Sequence, residues 1–245
     1  MWKKGQGLAA ALCGAGLALL LAAVPAAAQD GALMTQSERD FMTVDNAATP
    51  AKGHQNIMGA IGYTDVGNGG LQIGAWYDMP LSDRFAAIFR VNAAFIDPTV
   101  WGIDAGLKYQ LGNFGSPGLN HSVIGRFGYT DAGYADGVGG ELRWVSTYHR
   151  NADSISGNLG IGLADGRSTS IPFGLGWTHR FGNQWRAGVE WGGEIYKGDL
   201  YSALGPSVWY NLPASGAQTS IGLNALFGVG DSTGWQLNVM GQWSP

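Results

Sequence analysis

Apolar and polar residues alternate along most of the chain. In WTHRFGNQWRAGVEW (residues 177–191), every second position from Trp177 to Phe181 carries a ring, and Thr178 and Arg180 fall between them. The alternation resumes after the turn-forming residues GNQ. Because successive side chains of a strand point to opposite faces, this segment predicts a β-hairpin with one apolar and one polar face.

The same pattern repeats from residue 54 to the end of the chain. Glycine-, proline-, asparagine- and aspartate-rich turns separate the candidate strands. The pattern predicts about twelve antiparallel strands, with about ten or fourteen as alternatives, each close to the ~9–11 residues with which a tilted strand crosses a bilayer. The predicted strands are 54–65, 71–79, 84–96, 100–111, 121–131, 140–150, 154–164, 168–181, 185–197, 200–212, 217–229 and 234–244.

One predicted face carries aliphatic residues in mid-strand and aromatic residues toward the strand ends. This order is typical of a lipid-facing band between two aromatic girdles, and a protein core has no physical reason to sort residues in this way. We therefore predict a closed antiparallel up-and-down transmembrane β-barrel, all-β, with this face toward lipid. The predicted girdle residues are Trp101, Tyr109, Trp144, Tyr148, Trp177, Trp185, Trp191, Trp235 and Trp243.

The other face is polar and rich in glycine, and it is predicted to line the lumen. Glycine weakens a strand, but it is understandable on the concave inside of a narrow barrel, where it leaves room for charged neighbours. On this basis Gly176→Ser is expected to be mild. The predicted lumen charges are Asp104, Lys108, Arg126, Glu141, Arg143, Arg180, Arg186, Glu190 and Glu194.

The turn Gly182-Asn183-Gln184 tests the strand register. A three-residue loop places Phe181 opposite Trp185 and Arg180 opposite Arg186. A slip of one residue would move every side chain of the hairpin to the other face. The apolar row therefore predicts the three-residue loop.

Composition agrees with an all-β envelope protein. The 245 residues include 41 glycines and 10 tryptophans, only 13% are charged, and the formal net charge is −4. Soluble domains usually contain about 25% charged residues. The absence of a basic excess gives no indication of a nucleic-acid partner.

The N-terminus predicts export. Lys3 and Lys4 precede an apolar run, and small residues follow it up to Ala28. These are the parts of a secretory signal peptide over residues 1–28, cleaved near Ala28. Cys13, the one cysteine of the chain, lies inside this signal, so the exported protein is predicted to have no disulfide.

Residues 29–53 lack the alternation. Ser37 could cap one short helical turn, and Pro50 and Gly53 close the segment. Two interpretations stay open: an N-terminal periplasmic arm, in its simplest form a flexible leader, or a plug in the lumen. The barrel is assigned to residues 54–245.

With its signal peptide, alternation and aromatic placement, the chain from Gly53 onward resembles bacterial outer-membrane β-barrel proteins as a class, without a specific family. The resemblance implies the outer membrane of a Gram-negative bacterium and lipids as partners. Proteins of this class usually end on an aromatic residue, whereas this chain ends in Trp243-Ser244-Pro245.

No motif predicts a catalytic, metal or cofactor site. His121 and Ser122 invite comparison with outer-membrane lipid hydrolases, but neighbouring strand residues point to opposite faces, and the His-x-Ser spacing is absent. Glu190 and Glu194 share a face but lie about 13 Å apart along a strand, too far for a direct acid–base pair. A hydrolase is therefore the weakest of the functional hypotheses.

The leading hypothesis is a porin-like passive channel for small solutes or ions. A barrel of about eight strands is filled by side chains and one of about sixteen holds an aqueous channel, so twelve strands fall between. The alternative is a non-conducting structural or interaction barrel within an envelope assembly. The sequence identifies neither a substrate nor a partner protein.

Overall fold

The computed structural model describes residues 41–50, 52–65, 69–97, 99–114, 116–131, 137–164, 169–213 and 218–245. The predicted signal peptide and residues 29–40 lie outside the described residues. Within the described residues there is no helix long and apolar enough to cross a membrane.

The predicted twelve-stranded barrel is confirmed. The strands are β1 (Asn56–Thr64), β2 (Gly70–Pro80), β3 (Phe85–Phe95), β4 (Val100–Gly112), β5 (Leu119–Asp131), β6 (Gly137–Arg150), β7 (Asp153–Ala164), β8 (Ser170–Phe181), β9 (Trp185–Tyr196), β10 (Asp199–Leu212), β11 (Gln218–Gly230) and β12 (Trp235–Ser244). Each strand pairs antiparallel with its neighbours in sequence, and β1 pairs with β12 to close the sheet. Closure leaves no unpaired edge, which a strand in lipid cannot tolerate.

The predicted register of the β8–β9 hairpin is also confirmed. Phe181 pairs with Trp185, and Arg180 pairs with Arg186. Gly182 opens the turn with a φ of 66°, a left-handed conformation that glycine adopts without steric cost. The apolar row therefore stays on one face of the sheet.

The outer face of the barrel is apolar and exposed. Leu159, Ile103 and Phe227 are 61%, 55% and 55% exposed, although they lie within regular strands. A continuous exposed apolar surface is unfavourable in water and matches the hydrocarbon region of a bilayer.

The inner face is occupied in part by residues 41–50, which we call the luminal segment. β1 begins and β12 ends at the same end of the barrel, which we call the terminal end. We call the other end of the barrel the opposite end. From the terminal end the segment extends into the lumen, and Phe41, Ala47 and Thr49 are fully buried there. The contacts between this segment and the strands define the candidate site.

Candidate functional site in the barrel lumen

The luminal segment begins its contacts at the terminal end of the barrel. Thr49 Oγ1 lies 3.3 Å from the carbonyl oxygen of Asp83, in the β2–β3 turn, and 3.0 Å from Gln110 Oε1. The amide N–H of Ala47 donates to Thr147 Oγ1 (2.7 Å), and Lys108 Nζ donates to the carbonyl oxygen of Ala48. The segment is therefore hydrogen-bonded to inward-facing residues of several strands.

Farther into the lumen the segment binds the carboxylate of Glu190, on β9. The amide N–H groups of Met42, Thr43 and Val44 donate to this carboxylate over 3.0, 2.6 and 3.3 Å, and Thr43 Oγ1 donates over 2.7 Å. Consecutive N–H groups that converge on one anion form a nest. Since Glu190 is fully buried, these donors offset the cost of removing its charge from water.

On the other side of the lumen the segment presents Asp45 to two arginines. Asp45 Oδ2 accepts from Arg126 Nη2 (2.9 Å) and from Arg143 Nη1 (3.0 Å). Glu141 Oε1 lies 3.2 Å from Arg126 Nη2 and 2.5 Å from Arg143 Nε. We call Asp45, Arg126, Glu141 and Arg143 the charge cluster. Its two acids and two bases alternate, so each charge has an opposite neighbour.

The backbone of Asp45 is held as firmly as its side chain. Its N–H donates to Asn158 Oδ1 (2.8 Å), while its carbonyl oxygen accepts from Asn158 Nδ2 (2.8 Å) and Ser156 Oγ (2.6 Å). Both partners belong to β7. The position of the Asp45 carboxylate is therefore fixed by arginine contacts from two strands and backbone contacts from a third.

Apolar residues of the segment pack on apolar residues that interrupt the polar inner face. Met42 lies in a cluster with Met58, Trp209 and Met240. A second cluster surrounds Ala47 and consists of Ile88, Ile124 and Val145. Burial of these side chains stabilises the segment in the lumen.

Glycines of the inner face make room for the same segment. A Cβ on Gly176 would lie 2.5 Å from Phe41 Cδ1, and one on Gly222 would lie 2.3 Å from Met42 Cε. The expected mildness of Gly176→Ser is therefore wrong, because the added atoms would overlap the Phe41 ring. These glycines leave space for residues 41–50 as well as for charged neighbours.

Cavities remain at the opposite end of the lumen. One cavity of about 270 Å³ is lined by Arg90, Asp104, Arg126, Glu141 and Glu194 among other residues. A second, of about 460 Å³, shares Glu141 and Glu194 with the first and is also lined by Arg143. We call the two cavities the vestibule; the charge cluster lies at its inner boundary.

The predicted lumen charges occupy three levels of the barrel. Asp104 and Glu194 line the vestibule. The two carboxylate oxygens of Asp104 accept from Arg90 Nε over 2.9 and 3.0 Å. Arg90 is not among the predicted lumen charges. Arg126, Glu141, Arg143 and Glu190 lie at the level of the luminal segment. Lys108, Arg186 and Arg180 lie closer to the terminal end, where Arg186 is buried and Arg180 is exposed.

The predicted girdle residues all lie at outward positions of the strand registers. Trp101 and Trp235 lie near the opposite end, in contact with Tyr129 and Tyr63 at ring-centroid distances of 5.5 and 5.6 Å. Tyr109, Tyr148, Trp177, Trp185 and Trp243 lie toward the terminal end. Trp144 and Trp191 differ, because each lies near the middle of its strand, paired with aliphatic residues.

His121 and Ser122 point to opposite sides of β5, as their adjacent positions predict. Ser122 is buried, and His121 Nδ1 lies 2.9 Å from Ser146 Oγ, which also accepts from Trp144 Nε1 over 2.9 Å. The contacts described for His121 include the ring of Phe114 (5.1 Å) but no carboxylate. The described part of the chain holds no cluster of His, Cys, Asp or Glu suited to a metal ion.

Fold, outer face and polar lumen together define a bacterial outer-membrane β-barrel. Among solved structures, the fold is similar to that of the KdgM porin, with a TM-score of 0.53 at 10% identity over 77% of this chain and 98% of that chain. The KdgM porin in complex with disordered oligogalacturonate matches with a TM-score of 0.55 at the same identity and coverage. No protein-family model matches the chain, and neither does any curated protein.

Proposed function

We propose that the protein is an outer-membrane channel for small solutes, and that residues 41–50 are a plug which closes it. The observation that carries the proposal is the division of the lumen. A polar, glycine-lined vestibule occupies the opposite end, and the luminal segment fills the space beneath it. A purely structural barrel has no physical need for a charged cavity.

The character of the contacts supports a removable plug. Polar groups of the segment bind side chains of the barrel, and those side chains can be rehydrated when the segment leaves. Removal would also uncover the glycines at positions 174, 176 and 222, and so widen the lumen. The likeness to the KdgM porin concerns the fold and agrees with this proposal.

A reversible disulfide tests the plug. A Cβ on Gly174 would lie 3.4 Å from Val44 Cγ2, a spacing that suits a disulfide between Val44→Cys and Gly174→Cys. Cleavage near Ala28 would remove Cys13, so no native thiol would compete. In planar bilayers the oxidised double variant should carry little current, and reduction should restore the current of the unmodified protein; the two single variants are controls.

The outcomes distinguish a failure of the plug proposal from a failure of the channel proposal. Equal and substantial current in the oxidised and reduced double variant would show that residues 41–50 do not close the channel. If unmodified and reduced proteins both carry no current under any applied voltage, the channel proposal fails.

The second candidate function is a non-conducting structural barrel. The extensive contacts of residues 41–50 favour it, because a segment held by Glu190, Arg126 and Arg143 resembles a permanent brace. We place either function in the outer membrane after signal cleavage near Ala28, and we propose no enzymatic activity.

A further inference from the structure

Asp45 occupies its place in the lumen as a bound ligand would. Its carboxylate accepts from Arg126 and Arg143, which belong to the neighbouring strands β5 and β6. Arginine guanidinium groups suit planar carboxylates in charge and geometry. The two arginines thus form a carboxylate site that the chain fills with its own side chain.

The same arginines can be reached from the vestibule. Arg126 lines the cavity of about 270 Å³, and Arg143 lines that of about 460 Å³. Arg126 is only 6% exposed, and its buried Nε has no hydrogen-bond acceptor among the residues that the structure describes. A solute in the vestibule would therefore lie next to both arginines.

The charge balance favours a monoanionic group. Within the charge cluster, Arg126 and Arg143 balance Asp45 and Glu141. Departure of Asp45 would leave one net positive charge, which a solute carboxylate would neutralise. A phosphate dianion would instead add excess negative charge close to Glu141 and to Asp104, both of which line the vestibule.

We propose that the vestibule binds carboxylate-bearing solutes, and that a solute carboxylate displaces the Asp45 carboxylate from Arg126 and Arg143 and thereby loosens the luminal segment. The inference deepens the proposed channel function and rests on it for its biological meaning. Solute and plug compete for one site, so the solute that is to pass also opens the path.

The release of the Asp45 carboxylate affects Val44 because the contacts are adjacent in sequence. Met42, Thr43 and Val44 bind Glu190 immediately before Asp45 binds the arginines. The segment is thus held from both sides of the lumen over four consecutive residues. Loss of the arginine contacts removes the charged anchor next to Val44, while Glu190 and the backbone contacts of Asp45 with β7 still hold the segment.

The reactivity of a cysteine at position 44 tests this inference without any measurement of current. Val44 is 1% exposed beside Gly174, so Val44→Cys should react slowly with a water-soluble maleimide. Potassium gluconate, a monocarboxylate, should accelerate the reaction roughly tenfold over the same concentration of potassium chloride, the effect expected for loss of about one charge-assisted hydrogen bond.

Added substitutions identify the competing group. In Val44→Cys with Asp45→Asn, the reaction should be fast in chloride and insensitive to gluconate. Val44→Cys with Asp199→Asn, which changes a carboxylate at the exposed start of β10, should behave like Val44→Cys alone.

Three results would overturn the inference: equal rates in gluconate and chloride, an undiminished gluconate effect in the Asp45→Asn background, or a larger effect of phosphate than of gluconate. If gluconate accelerates labelling of the Val44→Cys variant but the protein carries no current, the channel proposal fails while this carboxylate site stands. If the protein conducts and gluconate leaves the labelling rate unchanged, the carboxylate site alone fails.

Discussion

Arg180 and Arg186 face each other across the β8–β9 hairpin, yet their environments differ sharply. Arg186 is 2% exposed, and its guanidinium lies 5.4 Å from the centre of the Trp209 ring. Arg180 is exposed at the terminal end. Although the two arginines pair in the same register, Arg186 is therefore buried beside an aromatic ring and Arg180 is exposed.

This difference predicts unequal effects on stability. Arg186→Gln should lower the free energy of unfolding by about 1–2 kcal/mol through loss of the partly desolvated cation–π contact, whereas Arg180→Gln should change it by less than about 0.5 kcal/mol. Urea unfolding in detergent, followed by tryptophan fluorescence, measures both. Equal losses would show that the buried contact with Trp209 does not account for the contribution of Arg186 to the stability of the protein.

A second prediction concerns the two faces of β8. Leu175 is 51% exposed on the outer face, so Leu175→Arg should cost about 2–4 kcal/mol if the residue lies near the bilayer midplane. Gly176→Ser should leave insertion intact but loosen residues 41–50, because the new side chain overlaps Phe41. Folding yield into lipid vesicles and hydrogen exchange of the luminal segment distinguish the two results; similar folding losses for both variants would contradict the assignment of the faces.

A third prediction compares two glutamates of β9. Glu190→Gln replaces a carboxylate that accepts from the segment with an amide that also carries donors. The free energy that holds the segment in the lumen should fall by about 1.5–3 kcal/mol per affected charge-assisted hydrogen bond. The amide hydrogens of the segment should therefore exchange faster with solvent. Glu194→Gln is the matched control on the same strand, since Glu194 lines the vestibule. If both variants exchange alike, the Glu190 contacts do not hold the segment.

A fourth prediction concerns the location of the protein. A barrel with this exposed apolar face should fractionate with the outer membrane, require detergent for solubility and migrate differently on a gel before and after heating. Recovery of the unheated protein as a soluble periplasmic monomer would refute the membrane assignment.

Much of the fold could be predicted from sequence because the signal is local and repeats. Each strand alternates with a period of two, each turn carries its own residues, and the register of Phe181 with Trp185 depends only on the loop between them. Closure then follows, because strands in lipid must pair along every edge.

A plug formed by residues 29–53 was one of two interpretations of the sequence, but the contacts of the luminal segment could not be predicted in the same way. Its contacts join residues far apart in sequence, as in Thr43 with Glu190 at a separation of 147, and no periodic pattern reports them. One sign was present: Ile88, Ile124 and Val145 interrupt the polar inner face, and each packs in the cluster around Ala47. Asp45 lies in a segment without alternation, so no local pattern pairs it with Arg126.

The luminal segment is joined directly to β1, which begins at Asn56. A connection from residue 50 to residue 56 spans at most about 20 Å when fully extended. If the segment is the plug that we propose, its released form stays near its site at an effective concentration on the order of millimolar or higher, as short tethers provide. In the proposed mechanism, closing is an intramolecular step that is independent of protein concentration, so dilution of the competing solute is enough to close the barrel again.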